Sequence, residues 1–578
     1  MMEDGGMIPE TNGTFERATA PIRFGVMCFG PIFQKWQARC LQKLMALENV
    51  APALLIIDDD SAERNSLASR LKRIRWNQLV FQLYNNFLVK PEASRPVDLS
   101  ETFKDIPRLP CRTVKKGKFS QYFREEDIET IRNYNLDFIL RFAYGIIRGE
   151  ILKTPRYGVW SYHHGDEERY RGGPPCFWEI YHDDPVSGAL LQRLTDRLDG
   201  GVALKKGRIN TCLTSYSRNL NNILLESSGW ASQVCIDLRQ GAADYLEAPP
   251  SPTDAPIYYS PTNRQMAVFG AKIIRNAAKR AAQALFRHDQ WNIGMAQQPI
   301  QAYLQSGKHP NIVWMPAPMK NQFFADPFAL KKEDRHTILF EELDYRIGRG
   351  RIFFFQFDDD PSKAAPLPAM ENSFHMSYPY LIENEGEIYC VPETYEASEI
   401  ALYRAVSFPA KWEKIAALVE GVQGVDSTIA YFDRRWWLFC ACQENGPNHN
   451  LFVYYADDLL GPWRSHANNP VKTDVRSARP GGTPFIHEGT LYRPAQDCSS
   501  AYGARLIINR VQKLTPEEFK EEAAGVIEPD PEGPYPDGCH TACAMGNVTI
   551  IDGKRWIFIP SAFWQTLKRG LRKIVHRG

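Results

Sequence analysis

The sequence predicts two folded parts of different class: an α/β domain built on a parallel sheet, then an all-β five-bladed β-propeller. Three observations predict this. The chain opens with an apolar run at Ile22–Cys28, a helically spaced stretch from Gln34 to Leu47 and a second apolar run at Ala53–Ile57. That is the β-α-β order of a parallel sheet. The second half repeats short apolar β runs starting at His336, Glu387, Arg435, Thr490 and Arg555, spaced 51, 48, 55 and 65 residues apart. A period near fifty with several strands per unit is the mark of propeller blades. Between the two halves, the stretch 246–264 carries five prolines and reads as a linker or extended crossing segment.

Composition supports folded, globular material. The chain has 578 residues, 44% hydrophobic and 24% charged, with a net charge of +1. That length allows two domains with separate cores, and the near-zero balance gives no support for nucleic acid as a partner. Twelve scattered cysteines include no CxxC pair. They read as reduced, mostly buried thiols, and no metal site is expected. The polar, acidic start is no signal peptide, and no run of eighteen apolar residues occurs, so a cytoplasmic location without a membrane span is expected. The boundaries follow: a disordered lead at 1–21, the α/β domain at 22–245, a Pro-rich linker with a basic helix at 246–289, the propeller at 290–563 and a basic tail at 564–578.

Further along the α/β part, Asp127–Tyr134 predicts a helix, Leu136–Phe142 a buried strand and Ala143–Ile147 a helix start. The absence of GxGxxG leaves a dinucleotide unsupported. The stretch from Val159 to Val202 organises this half. It holds His163 and His164 at a strand end, an Arg171-Gly172-Gly173-Pro174-Pro175 turn, a helix near Cys176–Tyr181, a strand from about Ala189, and Leu198-Asp199-Gly200-Gly201. A His and an Asp on two strand-end loops make a plausible general-base arrangement.

These residues resemble the formyltransferase family, which includes methionyl-tRNA and sugar N-formyltransferases. The family pattern of Asn-x-His, Arg-Gly, Gly and Leu-Asp-x-Gly lays over this chain without a gap at His163, Arg171-Gly172, Gly188 and Leu198–Gly201. The resemblance covers roughly residues 22–240 and implies a Rossmann-like formyltransferase domain that uses N10-formyltetrahydrofolate as formyl donor. It makes His163 the base or oxyanion partner, with Asp199 orienting it or taking the proton. Tyr144, Gly145, Arg171 and Gly172 would line the folate site. Two departures stand out: Ser161 occupies the family's catalytic Asn position, and Gly165-Asp166-Glu167-Glu168 replaces an apolar segment beside the folate. His164 is a candidate to fill the gap left by the Asn. Nothing resembles the tRNA-binding barrel of the methionyl-tRNA enzymes, so the acceptor implied is an amino sugar, nucleotide- or lipid-linked.

In the second half each apolar run follows a turn-rich strand, at Ala325–Phe328, Ser377–Tyr380, Asp426–Ile429, Gly482–Phe485 and His540–Ala542. First strands of blades line a propeller's channel, so Asp326, Glu393, Asp426, Arg479, Gln496, Asp497 and His540 are expected to converge there. The last blade is short of strands, and the segment Trp291–Ala296 is expected to complete it from the N-terminal side. The Ala325-Asp326-Pro327-Phe328, Ser377-Tyr378-Pro379, Pro392-Glu393-Thr394 and Val425-Asp426-Ser427 segments resemble the five-bladed fold of glycoside hydrolase family 43. They also resemble the non-transferase domain of plant glucosamine inositolphosphorylceramide transferases. By that resemblance Asp326, Asp426 and Glu393 would be base, pKa modulator and acid of a hydrolase, or the channel would bind glycan without cutting it.

The basic helix at Ala271–Arg287 and the tail at Leu567–Arg577 would suit an anionic membrane surface, or pack with a solvated charged face. The expectation is therefore a formyltransferase-like enzyme of polysaccharide or glycolipid biosynthesis that formylates an amino sugar and holds the glycan in its propeller. The alternatives are a carbohydrate-binding protein with a degenerate transferase domain, or a family-43-like glycosidase or glycosyltransferase. The sequence leaves the oligomeric state open.

Overall fold

A computed structural model describes residues 18–558 apart from 19, 60–74, 118, 198–199, 306–310, 333–334 and 359. Asp199, the basic tail and most of the expected lead therefore lie outside the described residues. The chain forms two compact units: Met1–Pro175 with Ala189–Lys206 and Leu220–Asn263, and Cys176–Gly188 with Gly207–Asn219 and Arg264–Gly578.

The first unit is organised by a seven-stranded sheet. Its strands are β1 (Ile22–Cys28), β2 (Val50–Asp58), β3 (Arg108–Cys111), β4 (Phe138–Arg141), β5 (Val159–His163), β6 (Val186–Arg193) and β7 (Val202–Asn210), in the order β7-β6-β5-β4-β1-β2-β3. Strands β3, β2, β1, β4 and β5 run parallel, and β6 is antiparallel to β5. All of β1 except Arg23 is buried, as suits a strand covered on both faces. Helix α1 (Lys35–Met45) turns Trp36, Ala38, Cys40, Leu41 and Leu44 inward, and Gln37 caps its start by accepting from the Gln34 backbone N–H at 3.0 Å.

The helix start expected at Ala143–Ile147 does not form. Tyr144 has φ of +66°, a left-handed conformation that no right-handed helix accommodates. Ile146–Arg148 instead pairs parallel with Ser120–Tyr122, an environment that favours β-branched residues. The basic helix is longer than its charges suggest. It spans Asn263–Phe286 because Met266 and Phe269 are buried, with Phe269 stacked on Phe177 at 4.4 Å. It then runs straight into strand Arg287–Ala296.

The second unit contains five antiparallel sheets, four of them drawn from successive chain segments. The strands Gln322–Lys332, Arg335–Asp344, Arg349–Phe357 and Leu367–Met370 form one, and Ser377–Asn384 to Lys411–Glu420 the next. Gly424–Phe432 begins another, and Phe485–His487 to Phe519–Ile527 forms the fourth. The remaining sheet joins both ends of the unit: Arg287–Ala296 lies along Val548–Phe558, with Ile293 opposite Asp552. The Trp291–Ala296 segment thus supplies the strand that the last repeat lacks, as the sequence predicts.

In three sheets the first strand bulges at the same place, between Ala325 and Phe328, Ser377 and Tyr380, and Val425 and Thr428. Asp326, Tyr378 and Asp426 sit there at φ of +53°, +47° and +50°. A non-glycine residue in this region costs about 1–2 kcal/mol, so the surrounding contacts must hold these three side chains where they are. All twelve cysteines are free thiols, and only Cys212 is not buried.

Candidate functional site

In the first unit, β4 and β5 end side by side, with Ser161 registered against Arg141. Ligands of parallel sheets bind outside the carboxyl ends of such strands. A cavity of about 180 Å³ opens there, lined by Arg141, Gly145, Ser161, His163, Gln192 and Asp196 among others. Strand alternation puts Ser161 and His163 on one face and Tyr162 on the other. The Arg141 guanidinium donates from Nε and Nη2 to Ser161 Oγ at 3.1 and 2.9 Å, and from Nη1 to the Gly145 carbonyl oxygen at 2.6 Å. Ser161 Oγ thus accepts two charge-assisted bonds, which leaves its own hydrogen to donate. His163 Nε2 lies 3.2 Å from the Tyr170 carbonyl oxygen. A carbonyl only accepts, so this contact keeps a proton on Nε2 and makes Nδ1 the basic nitrogen of the neutral ring.

The other expected residues of this unit fall in different places. His164 packs edge-on to Trp36 at 5.1 Å, and its Nε2 meets Ser227 Oγ at 3.1 Å. Burial, with His163 adding to it, lowers its pKa to about 3, so it is a neutral packing residue that does not fill the Asn position. Tyr144 turns to an apolar cluster against Phe123, while Gly145 lines the cavity. Arg171 and Gly172 form a short strand paired with Ile257–Tyr258. The Arg171 side chain donates to the Ala255 carbonyl oxygen at 3.2 Å. The acidic loop is spent on one cation: Lys206 Nζ reaches Asp166, Glu167 and Glu168 at 3.4, 3.0 and 2.9 Å. Arg141 was not singled out from the sequence. Its signal is a lone charge ending the buried run Phe138–Leu140.

The second unit gathers its expected residues into a buried polar cluster. Asp426 Oδ2 accepts from Arg479 Nε and from Gln496 Nε2, both at 2.6 Å. The bulged backbone frees N–H groups from the sheet ladder, and neighbouring carboxylates capture them. Asp426 N donates to Glu393 Oε2 at 3.0 Å, and Asp326 N to Asp552 Oδ2 at 3.3 Å. Thr541 Oγ1 donates to Asp326 Oδ1 at 2.8 Å. His540 stands between two carboxylates, with Nδ1 2.5 Å from Asp552 and Nε2 3.4 Å from Asp326, and stacks on Trp291 at 4.0 Å.

Electrostatics follow from this crowding. Burial raises Asp326 to about 6, opposed by His540 and reinforced by Asp426 and Asp552. Burial pushes Glu393 well above the usual carboxylate range, with Asp426 adding to it and Arg479 opposing. Glu341 is pushed up by burial and then by Asp326, Glu393 and Asp426. For His540, burial disfavours the cation, but Asp552 and Asp326 outweigh it and the pKa rises. Asp497 stands apart: its carboxylate is taken by the Ser499 N–H at 2.9 Å and Arg505 at 3.0 Å. Glu341 and Asp552 were missed in the sequence, and each is an acidic residue breaking an apolar β run.

Residues 313–531 match the family model for the N-terminal part of glucosamine inositolphosphorylceramide transferase 1. That range holds Asp326, Glu341, Glu393, Asp426 and Arg479. The chain is 37% identical over 207 residues to glucosamine inositolphosphorylceramide transferase 1 of Oryza sativa subsp. japonica, covering 35% of this chain and 28% of that protein. The Arabidopsis thaliana protein is 34% identical over 212 residues, at 35% and 27%. The N-terminal region is similar to methionyl-tRNA formyltransferases. One such enzyme from Prochlorococcus marinus is 32% identical over 107 residues, 18% of this chain and 32% of that entire enzyme. The chain thus spans about a third or less of each relative's length.

Solved structures with similarity include a family 117 glycoside hydrolase from Zobellia galactanivorans, with 12% identity, TM-score 0.31, covering 47% of this chain and 91% of that one. Glycinamide ribonucleotide transformylase 1 from Symbiobacterium toebii gives 13% and 0.25, with 42% and 93% covered. At these scores neither likeness decides fold or activity.

Proposed function

We propose that this protein is a transferase of glycan or glycolipid assembly, which moves a formyl group from N10-formyltetrahydrofolate to an amino sugar on a nucleotide or lipid carrier. The observation that carries this reading is the convergence of Arg141, Ser161 and His163 on one cavity at the carboxyl ends of β4 and β5. The attacking amine loses a proton to His163 Nδ1, the nitrogen that the Tyr170 carbonyl leaves free. As the carbonyl carbon becomes tetrahedral, negative charge grows on the formyl oxygen. The Ser161 hydroxyl, polarised by Arg141, donates to it in place of an Asn amide. Collapse expels tetrahydrofolate N10, which takes up the proton from His163. The similarity of the N-terminal region to formyltransferases supports the same chemistry. That of the second unit to a glucosamine inositolphosphorylceramide transferase supports a glycan or glycolipid setting.

In this reading the five sheets are the blades of a propeller that holds the glycan, and the protein works in the cytoplasm. Glycan holding is favoured over hydrolysis by the state of the carboxylates. Asp426 is held by Arg479 and Gln496, and Asp326 by Thr541 and His540, so neither is free to act on a sugar bond.

The test is titration of the full chain with a stable N10-formyltetrahydrofolate analogue, followed by formyl-transfer assays with nucleotide-linked amino sugars. Analogue binding should persist in Arg141→Gln and His163→Ala. Transfer should fall about 10²–10³-fold in the first and about 10²–10⁴-fold in the second. Absence of binding at millimolar analogue would sink the folate reading.

A further inference from the structure

A cavity of about 700 Å³ lies within the second unit, walled by helix Asn263–Phe286, the strand after it, residues 210–214 and the loop 499–502. On the helix, Asn276, Lys279, Arg280 and Gln283 recur at three- and four-residue spacings and share one face. Two earlier cations of this helix are spent on one carboxylate: Lys272 and Arg275 bind Asp183 at 2.7 and 2.5 Å. Lys279 and Arg280 line the cavity, and among the described residues neither makes a hydrogen bond or ion pair.

Lys554, also in the wall, is only 1% exposed, yet meets no described carboxylate at ion-pair distance. Its ammonium donates to the Tyr502 carbonyl oxygen and lies 4.9 Å above the Trp291 ring. Arg287 stacks on Trp556, 3.1 Å from the ring centre, again without an ion pair among the described residues. Four cations therefore face a wall with one carboxylate, Asp289. A buried ammonium is costly unless an anion accompanies it. The described carboxylates that act on Lys554, namely Asp289, Asp537 and Asp552, all do so from beyond ion-pair distance.

We propose that this cavity binds a phosphate or diphosphate ester, gripped by Lys279, Arg280, Arg287 and Lys554. Guanidinium forks match phosphate oxygens in pairs, and the lysines add point charges. The Gln283 amide and the Ser499 and Ser500 hydroxyls supply neutral donors from the same wall. The source rests on the function proposed above: the ester is that of an activated sugar, whose carrier is either a nucleoside diphosphate or a lipid diphosphate.

The test needs no folate, so its failure is distinct from failure of the formyl-transfer reading. The full chain is titrated calorimetrically with UDP and with inorganic diphosphate, and co-sedimented with phosphatidylcholine vesicles carrying a polyprenyl diphosphate. Binding of the soluble diphosphates supports the site and assigns a nucleotide carrier, whereas binding confined to the doped vesicles supports it and assigns a lipid carrier. In either case Lys279→Gln/Arg280→Gln, which changes only exposed side chains, should weaken binding by about tenfold or more. Its affinity for the folate analogue should stay unchanged. No binding in any arm at millimolar ligand overturns the proposal, as does wild-type affinity in the double variant.

Discussion

Replacing Arg479 by Met tests how the buried polar cluster is held together. The Arg479 side chain is 10% exposed and that of Asp426 3%, with Nε and Oδ2 2.6 Å apart. The weak energetics of surface pairs therefore do not apply. Methionine keeps much of the volume and removes the charge, so Asp426 stays buried with only Gln496 and the Glu393 contact around it. Removing one partner of a buried pair costs about 3–5 kcal/mol, roughly 10²–10⁴ in the folding equilibrium. For a unit of this size, with an unfolding entropy of about 2 cal/mol/K per residue, that corresponds to a fall in melting temperature of about 4–7 °C. The assay is thermal and urea unfolding of the full chain, followed by near-ultraviolet circular dichroism. An Asp426→Asn change in the Arg479→Met background should recover part of the loss, because the stranded charge is then gone. A single-variant loss below about 1 kcal/mol, or a double variant no better than the single, would refute the reasoning.

Two other predictions concern a proton and a backbone turn. Glu341 has a raised pKa in the folded chain, so the folded state keeps a proton that the unfolded state releases near pH 4.5, and stability falls as pH rises above that value. Glu341→Gln should match wild type near pH 4 and lose less between pH 5 and 8, by up to about 1.4 kcal/mol per pH unit; a wild-type slope in pH-dependent unfolding counts against it. Gly172 has φ of +82°, and a Cβ there would lie 2.3 Å from the Tyr258 carbonyl oxygen. Gly172→Ala should therefore cost more than about 1 kcal/mol and speed proteolysis within 251–259, whereas unchanged cleavage would show that the pairing with Ile257–Tyr258 is dispensable.

What the sequence determined by itself is whatever depends on neighbours a few residues apart. Alternation and apolar runs located β1, β2 and the five sheets, and the shortage of strands after His540 pointed to the N-terminal strand that pairs with Val548–Phe558. His163 was singled out through the resemblance to the formyltransferase pattern, and the structure places it at the end of β5. What lies between distant segments was not legible. Asp326 meets Asp552, 226 residues away in the chain, and Lys206 neutralises the acidic loop that stands where the formyltransferase pattern has an apolar segment. Ala143–Ile147 resembled a helix start until the left-handed Tyr144 and a parallel partner at Ser120–Tyr122 turned it into strand.

The most consequential difference concerns Arg141 and Ser161. They stand 20 residues apart, and neither is unusual at the end of a buried strand. Only parallel pairing of β4 with β5 sets the guanidinium on the hydroxyl. Local periodicity follows from covalent geometry and is written in the chain. Which charges face one another is decided when strands choose partners, because a buried charge must find its counterpart wherever the fold brings one.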